Sequence, residues 1–264
     1  MSVSSAPLLV SKRDQYEIWT LNQAHRRNPI SDPSMVNAIV DAVDRASDDL
    51  ECGAVILTGD GPAFSAGGDV RAMRTGDGIF GDPPALQRSG YQKGIQRLAR
   101  ALVECDVPLI AAINGPAIGA GFDLALMCDI RIASTEATFA CSFLKLGLIP
   151  GDGGAWLLPR VVGHARATEL VLTARTIHAT EAVEWGVVSS VVAPDALMPA
   201  AEAIAVEIAS LPRTAARMAK SLLRRAPDLG FSDTLDLSAA LQPLCHTTAE
   251  HRDLVMALGK RGKP

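Results

Sequence analysis

The chain has 264 residues, 48% apolar and 20% charged, with a formal net charge of -4, which supports a full globular core. Acidic and basic residues are interspersed, so no basic footprint for nucleic acid stands out, and no apolar stretch reaches the ~20 residues of a membrane helix. Five cysteines without a CxxC pair read as reduced thiols. The N-terminus has too short an apolar run for a secretory signal, so a cytoplasmic protein is expected.

Residues 8–11 and 16–21 flank the polar "KRDQ" and predict an opening β-hairpin. Ser34, a candidate cap, precedes "MVNAIVDAVDRASDDL", which puts Met35, Ile39, Ala42, Val43 and Ala46 on one helix face. "GAVILTG" (53–59) is a short buried strand that runs into the glycine-rich turn "GPAFSAGGDV" (61–70). The stretch 75–92, with Gly, Asp and Pro scattered through it, reads as a mobile loop. A helix near 93–104 leads to the strand "PLIAAI" (108–113), a second glycine-rich turn and a helix at 120–127. "DIRIAS" and "ATFAC" add two short strands.

From about 153 the pattern turns helical, with segments at 153–161, 164–173 and 179–185, a strand at 187–192, then helices near 196–210, 213–225, 232–243 and 247–259. The order predicts an α/β core over 1–195 and a helical region over 196–264 that packs on the core or on another subunit. Residues 53–73 and 108–127 form a weak internal repeat.

Both turns follow a buried strand and open a helix, whose first N–H groups lack partners and carry partial positive charge. Small residues there let a ligand oxygen approach the backbone. Neither turn has the GK[ST] of a phosphate loop, "GAGFDL" lacks the third glycine of a dinucleotide fingerprint, and Ser65 is not in G-x-S-x-G. On spacing alone, two readings stand: tight strand-to-helix corners, or donors for one oxyanion. Cys245, His246 and His251 lack a second ligand pair, so no metal site is expected.

"AFSAGGDV", then "INGPAIGAGFDLALMCDIRIAS", then "FLKLGLIPGDGGAWLLPRVVG" resembles the enoyl-CoA hydratase/isomerase (crotonase) superfamily. The resemblance runs from "VILTG" to the terminal "GKRGKP". It implies a spiral of ββα repeats with a C-terminal helical trimerisation region, a homotrimer or a hexamer of two trimers, and an acyl-CoA thioester substrate. The implied activity is of the kind used in fatty acid metabolism, with no cofactor beyond the coenzyme A of the substrate. The oxyanion donors become the backbone N–H groups of Gly68 and Ala120, the latter standing where many members have Gly. Ala66, Gly67, Gly68, Asp69 and Val70 would line the coenzyme A path, and Arg26 lies in the region passing near its nucleotide.

Hydratases of the family use two glutamates. Asp123 occupies the first position and Phe143, which carries no proton, the second. Asp123 is the candidate acid/base, with a helix-dipole role as the bland alternative. Asp152 is the second candidate, one residue after the position where related isomerases carry Asp; it also reads as a cap for the helix near Gly153. Phe143 and Trp156 would make that side of the pocket apolar. The expectation is a hydratase/isomerase acting through a thioester enolate. The alternatives are a double-bond or ring isomerase of a bulky acyl-CoA, and a non-catalytic acyl-CoA- or RNA-binding protein of the same fold.

Overall fold

The computed structural model describes residues 6–261; the last residues of "GKRGKP" lie outside it. β1 (Leu8–Lys12) and β2 (Tyr16–Leu21) form the expected antiparallel hairpin. α1 (Pro33–Asp48) buries all five residues of the expected face. Its cap is Asp32 rather than Ser34: the Asp32 carboxylate accepts from the Ser34 N–H at 2.8 Å and the Ser34 hydroxyl at 2.7 Å. Pro33 stands at the first helical position, where its missing N–H costs nothing.

β3 (Ala54–Gly59) is followed by α2 (Val70–Thr75). The segment expected as a loop contains a helix, α3 (Pro84–Lys93). Its prolines read as breakers, but Pro84 lies in the first turn, where proline is compatible with a helix. Then come α4 (Ile95–Glu104), β4 (Leu109–Ile113), β5 (Ala117–Ile118) and α5 (Ala120–Met127). β6 (Ile130–Ser134) and β7 (Thr138–Ala140) precede α6 (Gly154–Val162) and α7 (His164–Thr173). β8 (Thr176–His178), α8 (Ala179–Glu184) and β9 (Ser190–Val192) complete the sheets. Four helices close the chain: α9 (Leu197–Ala209), α10 (Arg213–Arg225), α11 (Phe231–His246) and α12 (Ala249–Arg261).

A six-stranded sheet runs β1-β2-β3-β4-β6-β9, parallel beyond its opening hairpin. A second, short sheet runs β5-β7-β8. Ser65 extends that second layer through an isolated parallel bridge to Ala117. Each repeat thus places one strand in the long sheet, a short extended piece in the second layer, and then a helix.

Alternation along the strands supplies two apolar faces. Val55, Leu57, Leu109, Ala111 and Ile113 join the large cluster with α1, α4 and α5. Ala54, Ile56, Ile110 and Ala112 join a second cluster with Leu197, Ala201 and Ala205 of α9. Full burial of an Ile or Leu contributes about 2 kcal/mol, so α9 covers the sheet's other face and belongs with the core. A boundary at 195/196 separates it from the strands on which it packs. α10 is also fastened to the core, whereas α11 and α12 leave Phe231, Leu235, Leu254 and Met256 exposed.

Candidate active site

The first turn is held in place by hydrogen bonds on every side. Asn28 donates through Nδ2 to the carbonyls of Asp60 and Ala63, both at 2.9 Å. The Ser65 hydroxyl donates to the Asn28 carbonyl at 2.7 Å and accepts from the Gly67 N–H at 3.1 Å. The Ala66 N–H reaches the Arg27 carbonyl at 2.8 Å, and the Asp69 N–H reaches the Ser31 hydroxyl at 2.9 Å. Among the described residues the Gly68 N–H donates to no protein acceptor.

The second turn packs directly against the first. Gly67 has φ +84°, and a Cβ there would lie 3.0 Å from the Ala120 nitrogen, so only glycine allows the approach. Ala120 is the first residue of α5, and its N–H has no acceptor within the helix. The structure therefore brings the two turns together, with Gly68 and Ala120 on adjoining backbone segments. The Phe143 ring adjoins the same corner, its edge carbons 3.9 Å from the place a Gly119 Cβ would occupy. Ser142, not singled out from the sequence, places its hydroxyl 3.4 Å from that same point.

One turn into α5, Asp123 is completely buried. Its Oδ2 accepts from the Gly154 N–H at 3.1 Å, and its Oδ1 has no hydrogen-bond partner among the described residues. Burial first, then the negative charge of Asp152, pushes its carboxyl up to about 8, against the Gly154 N–H. A Cβ on Gly154 would overlap the Asp123 carboxylate, so α6 reaches α5 only because it begins with glycine. Asp152 is 8% exposed, its Oδ1 also unpartnered, and burial raises it to about 6. Asp152 does not cap α6: the capping position is Gly153, with no side-chain hydrogen bond. A buried polar atom without a partner is uncommon, and here two carboxylates share one interior.

Arg26 is tied to Asp69 and, at 3.4 Å, to Asp32. Asp69 in turn caps α2 by accepting from the N–H groups of Arg71 at 3.0 Å and Ala72 at 3.2 Å. Arg26 therefore braces the 66–70 turn, while Val70 is exposed beside it. Trp156 lies elsewhere. On α6 it sits opposite the face made by Gly154, Leu157 and Leu158, is 39% exposed, and stacks on Arg160 at 3.7 Å. It lines a cleft of about 620 Å³ together with Lys220, Arg224 and Leu229, on the far side from the two turns. The helical period, which the "GDGGAW" motif hides, turns Trp156 outward.

Two more residues border Asp152 without a signal in the sequence. Tyr91 of α3 feels its charge, and Gln96 of α4 donates to the Gly151 carbonyl at 3.1 Å. Tyr91 falls in the segment that composition presents as a loop. Among the described residues no group of three or more His, Cys, Asp or Glu could hold a metal ion, and no helix is long and apolar enough to cross a membrane. His246 and His251 hydrogen-bond to each other at 3.0 Å.

A spiral of ββα repeats whose glycine-rich corners meet over a buried carboxylate defines the crotonase class of fold. Solved structures agree: the enoyl-CoA hydratase of Bacillus anthracis superposes with a TM-score of 0.89 at 29% identity, covering 98% of each chain. The family model described as enoyl-CoA hydratase/isomerase matches residues 17–260, and the chain belongs to that family. A probable enoyl-CoA hydratase of Mycobacterium bovis is 37% identical over 86% of this chain and 85% of its own length. The 1,2-epoxyphenylacetyl-CoA isomerase of Escherichia coli (strain K12) is 36% identical over 92% of this chain and 91% of its own. The protein is an enzyme of the hydratase/isomerase type.

Proposed function

We propose that the enzyme isomerises an enoyl-CoA thioester, with Asp123 and Asp152 moving the proton and the N–H groups of Gly68 and Ala120 holding the thioester oxygen. The observation that carries this reading is the pair of buried carboxylates with unpartnered oxygens and unequal proton affinities, about 8 and about 6. Unequal carboxylates divide acid and base roles. Near pH 7 Asp152 is largely ionised and serves as base; Asp123 is largely protonated and serves as acid.

Asp152 takes a proton from the α-carbon of a 3-enoyl thioester, and the C–H electron pair passes to the thioester oxygen as a dienolate. Asp123 then protonates the γ-carbon and the C=C bond settles between α and β. The proton gained by Asp152 returns to Asp123 and completes the cycle. Two N–H donors on the developing oxyanion supply about 3–4 kcal/mol each. Phe143 beside the corner favours an apolar acyl group over an ordered water, which supports isomerisation over hydration.

The test is a panel of 3-enoyl-, 2-enoyl- and aryl-substituted enoyl-CoA thioesters followed by mass spectrometry and ultraviolet absorbance. Isomerisation leaves the mass unchanged while conjugated absorbance grows. Gain of one water on the 2-enoyl compounds without isomerisation would contradict it and assign the two carboxylates to hydration. The rate should rise with pH through about 6 and fall through about 8, following the two carboxyls.

The exposed apolar side chains of α11 and α12, with Phe231 80% and Met256 66% exposed, support assembly into a trimer or hexamer. Light scattering at micromolar concentration should give three or six times the chain mass; a stable monomer contradicts this.

A further inference from the structure

Asp152 sits in a turn with little stiffness of its own. Glycines flank it at 151 and 153, the latter with φ +117°, and a third follows at 154. Among the described residues, two hydrogen bonds tie this turn to other elements. On one side the Gly154 N–H reaches Asp123 at 3.1 Å; on the other, Gln96 Nε2 donates to the Gly151 carbonyl at 3.1 Å. Gln96 itself rides on a fixed support, because Ile95, Leu98 and Leu102 bury the same helix against the core.

We propose that Gln96 is a positioning residue: from the first turn of α4 it holds, through the Gly151 carbonyl, the turn that keeps Asp152 buried beside Asp123. This rests on the reading of Asp152 as a proton carrier. The amide suits the task, since it donates to a carbonyl without bringing a charge that would drag the proton off Asp152. Without it the flexible turn swings toward solvent. Asp152 is then rehydrated and ionises more readily, and its distance to the substrate carbon loses definition. The titratable groups facing Asp152 are Asp123 of α5 and Tyr91 of α3. Both are unchanged by substitution at 96.

Gln96→Met and Gln96→Leu remove the donor at similar length and leave Asp152 itself in place. Two readouts apply: titration of 13C-labelled aspartate carboxyls by NMR, and deuterium exchange at the α-carbon of phenylacetyl-CoA in D2O, whose ring acidifies that C–H. In both variants the Asp152 midpoint should fall from near 6 toward the ordinary carboxylate range. Exchange should slow by about tenfold in kcat, a fraction of the ~10²–10⁴ of a full acid–base group, while KM moves less than about twofold. An Asp152 midpoint unchanged in both variants overturns the proposal, whatever happens to the rate. A lowered midpoint with unchanged exchange upholds the tether and counts against Asp152 as the proton carrier.

Discussion

Where β3, β4 and β6 begin, α10 delivers three cations at a spacing of three and four residues, which puts them on one helix face. Arg217 donates to the carbonyls of Ala46, Ser47, Asp49 and Cys52, which are the orphaned end of α1 and the lead into β3. Lys220 donates to the Val107 carbonyl at 2.6 Å and pairs with Asp129 at 2.8 Å. Arg224 reaches the Met127 carbonyl and Asp129, each at 2.7 Å. Among the described residues, Arg217 Nε is the one buried nitrogen of this group without a partner. Where β3 and β4 end, the chain does the reverse. Asp123 and Asp152 are as deeply buried, no cation faces them among the described residues, and each keeps an oxygen unpartnered. Buried charge that is matched holds a structure together; buried carboxyls left without partners are costly, which is why we read these two as the working groups.

The comparison can be broken most strongly at Asp123. Asp123→Asn preserves size and removes the acid that protonates the γ-carbon, so isomerisation should fall by at least about 100-fold, while α-proton exchange, the work of Asp152, continues. Stability should move the other way. The folded pKa of about 8 stands above the ordinary ~3.9 of an unfolded chain, so the native state binds that proton more tightly. Its stabilising effect is complete below about pH 4 and is lost as pH rises toward 8. Asp123→Asn should therefore melt higher than the parent at pH 8, with the difference closing near pH 4. An inactive variant that also melts lower at pH 8 would make the carboxylate structural.

At the opposite end the signs reverse. Arg217→Met removes a donor from four carbonyls, those of Ala46 and Cys52 buried and those of Ser47 and Asp49 half-buried, and should cost about 3 kcal/mol in denaturant unfolding. Exchange per folded molecule should change less than about twofold. If the rate falls sharply while stability holds, the division between the two ends is wrong.

The hairpin, the α1 face, β3, β4 and α5 were legible in the sequence because each rests on local periodicity, and the glycine-rich turns because their composition is extreme. α3 was hidden because proline in a first helical turn looks like a breaker; α9 was legible as a helix near 196–210, but its small apolar residues give no hint of which face of a sheet they cover. In the site, Asp123 stood out as a charge in an apolar run. Whether Asp152 reaches it depends on how a turn of three glycines folds and on Gln96, some 55 positions away, and nothing local encodes that. Trp156 misled for the opposite reason: adjacency to the motif says nothing about which side of α6 it takes.

The central claim is that the two carboxylates form one unequal, coupled pair. An NMR titration of 13C-labelled aspartate carboxyls, repeated in Asp123→Asn and Asp152→Asn, tests it without any substrate. The account predicts one midpoint near 8 and one near 6 in the parent. It also predicts that the Asp123 midpoint drops when Asp152 is neutralised, because that charge helps raise it. Both carboxyls titrating in the ordinary range near ~4, each indifferent to the other's replacement, would contradict it.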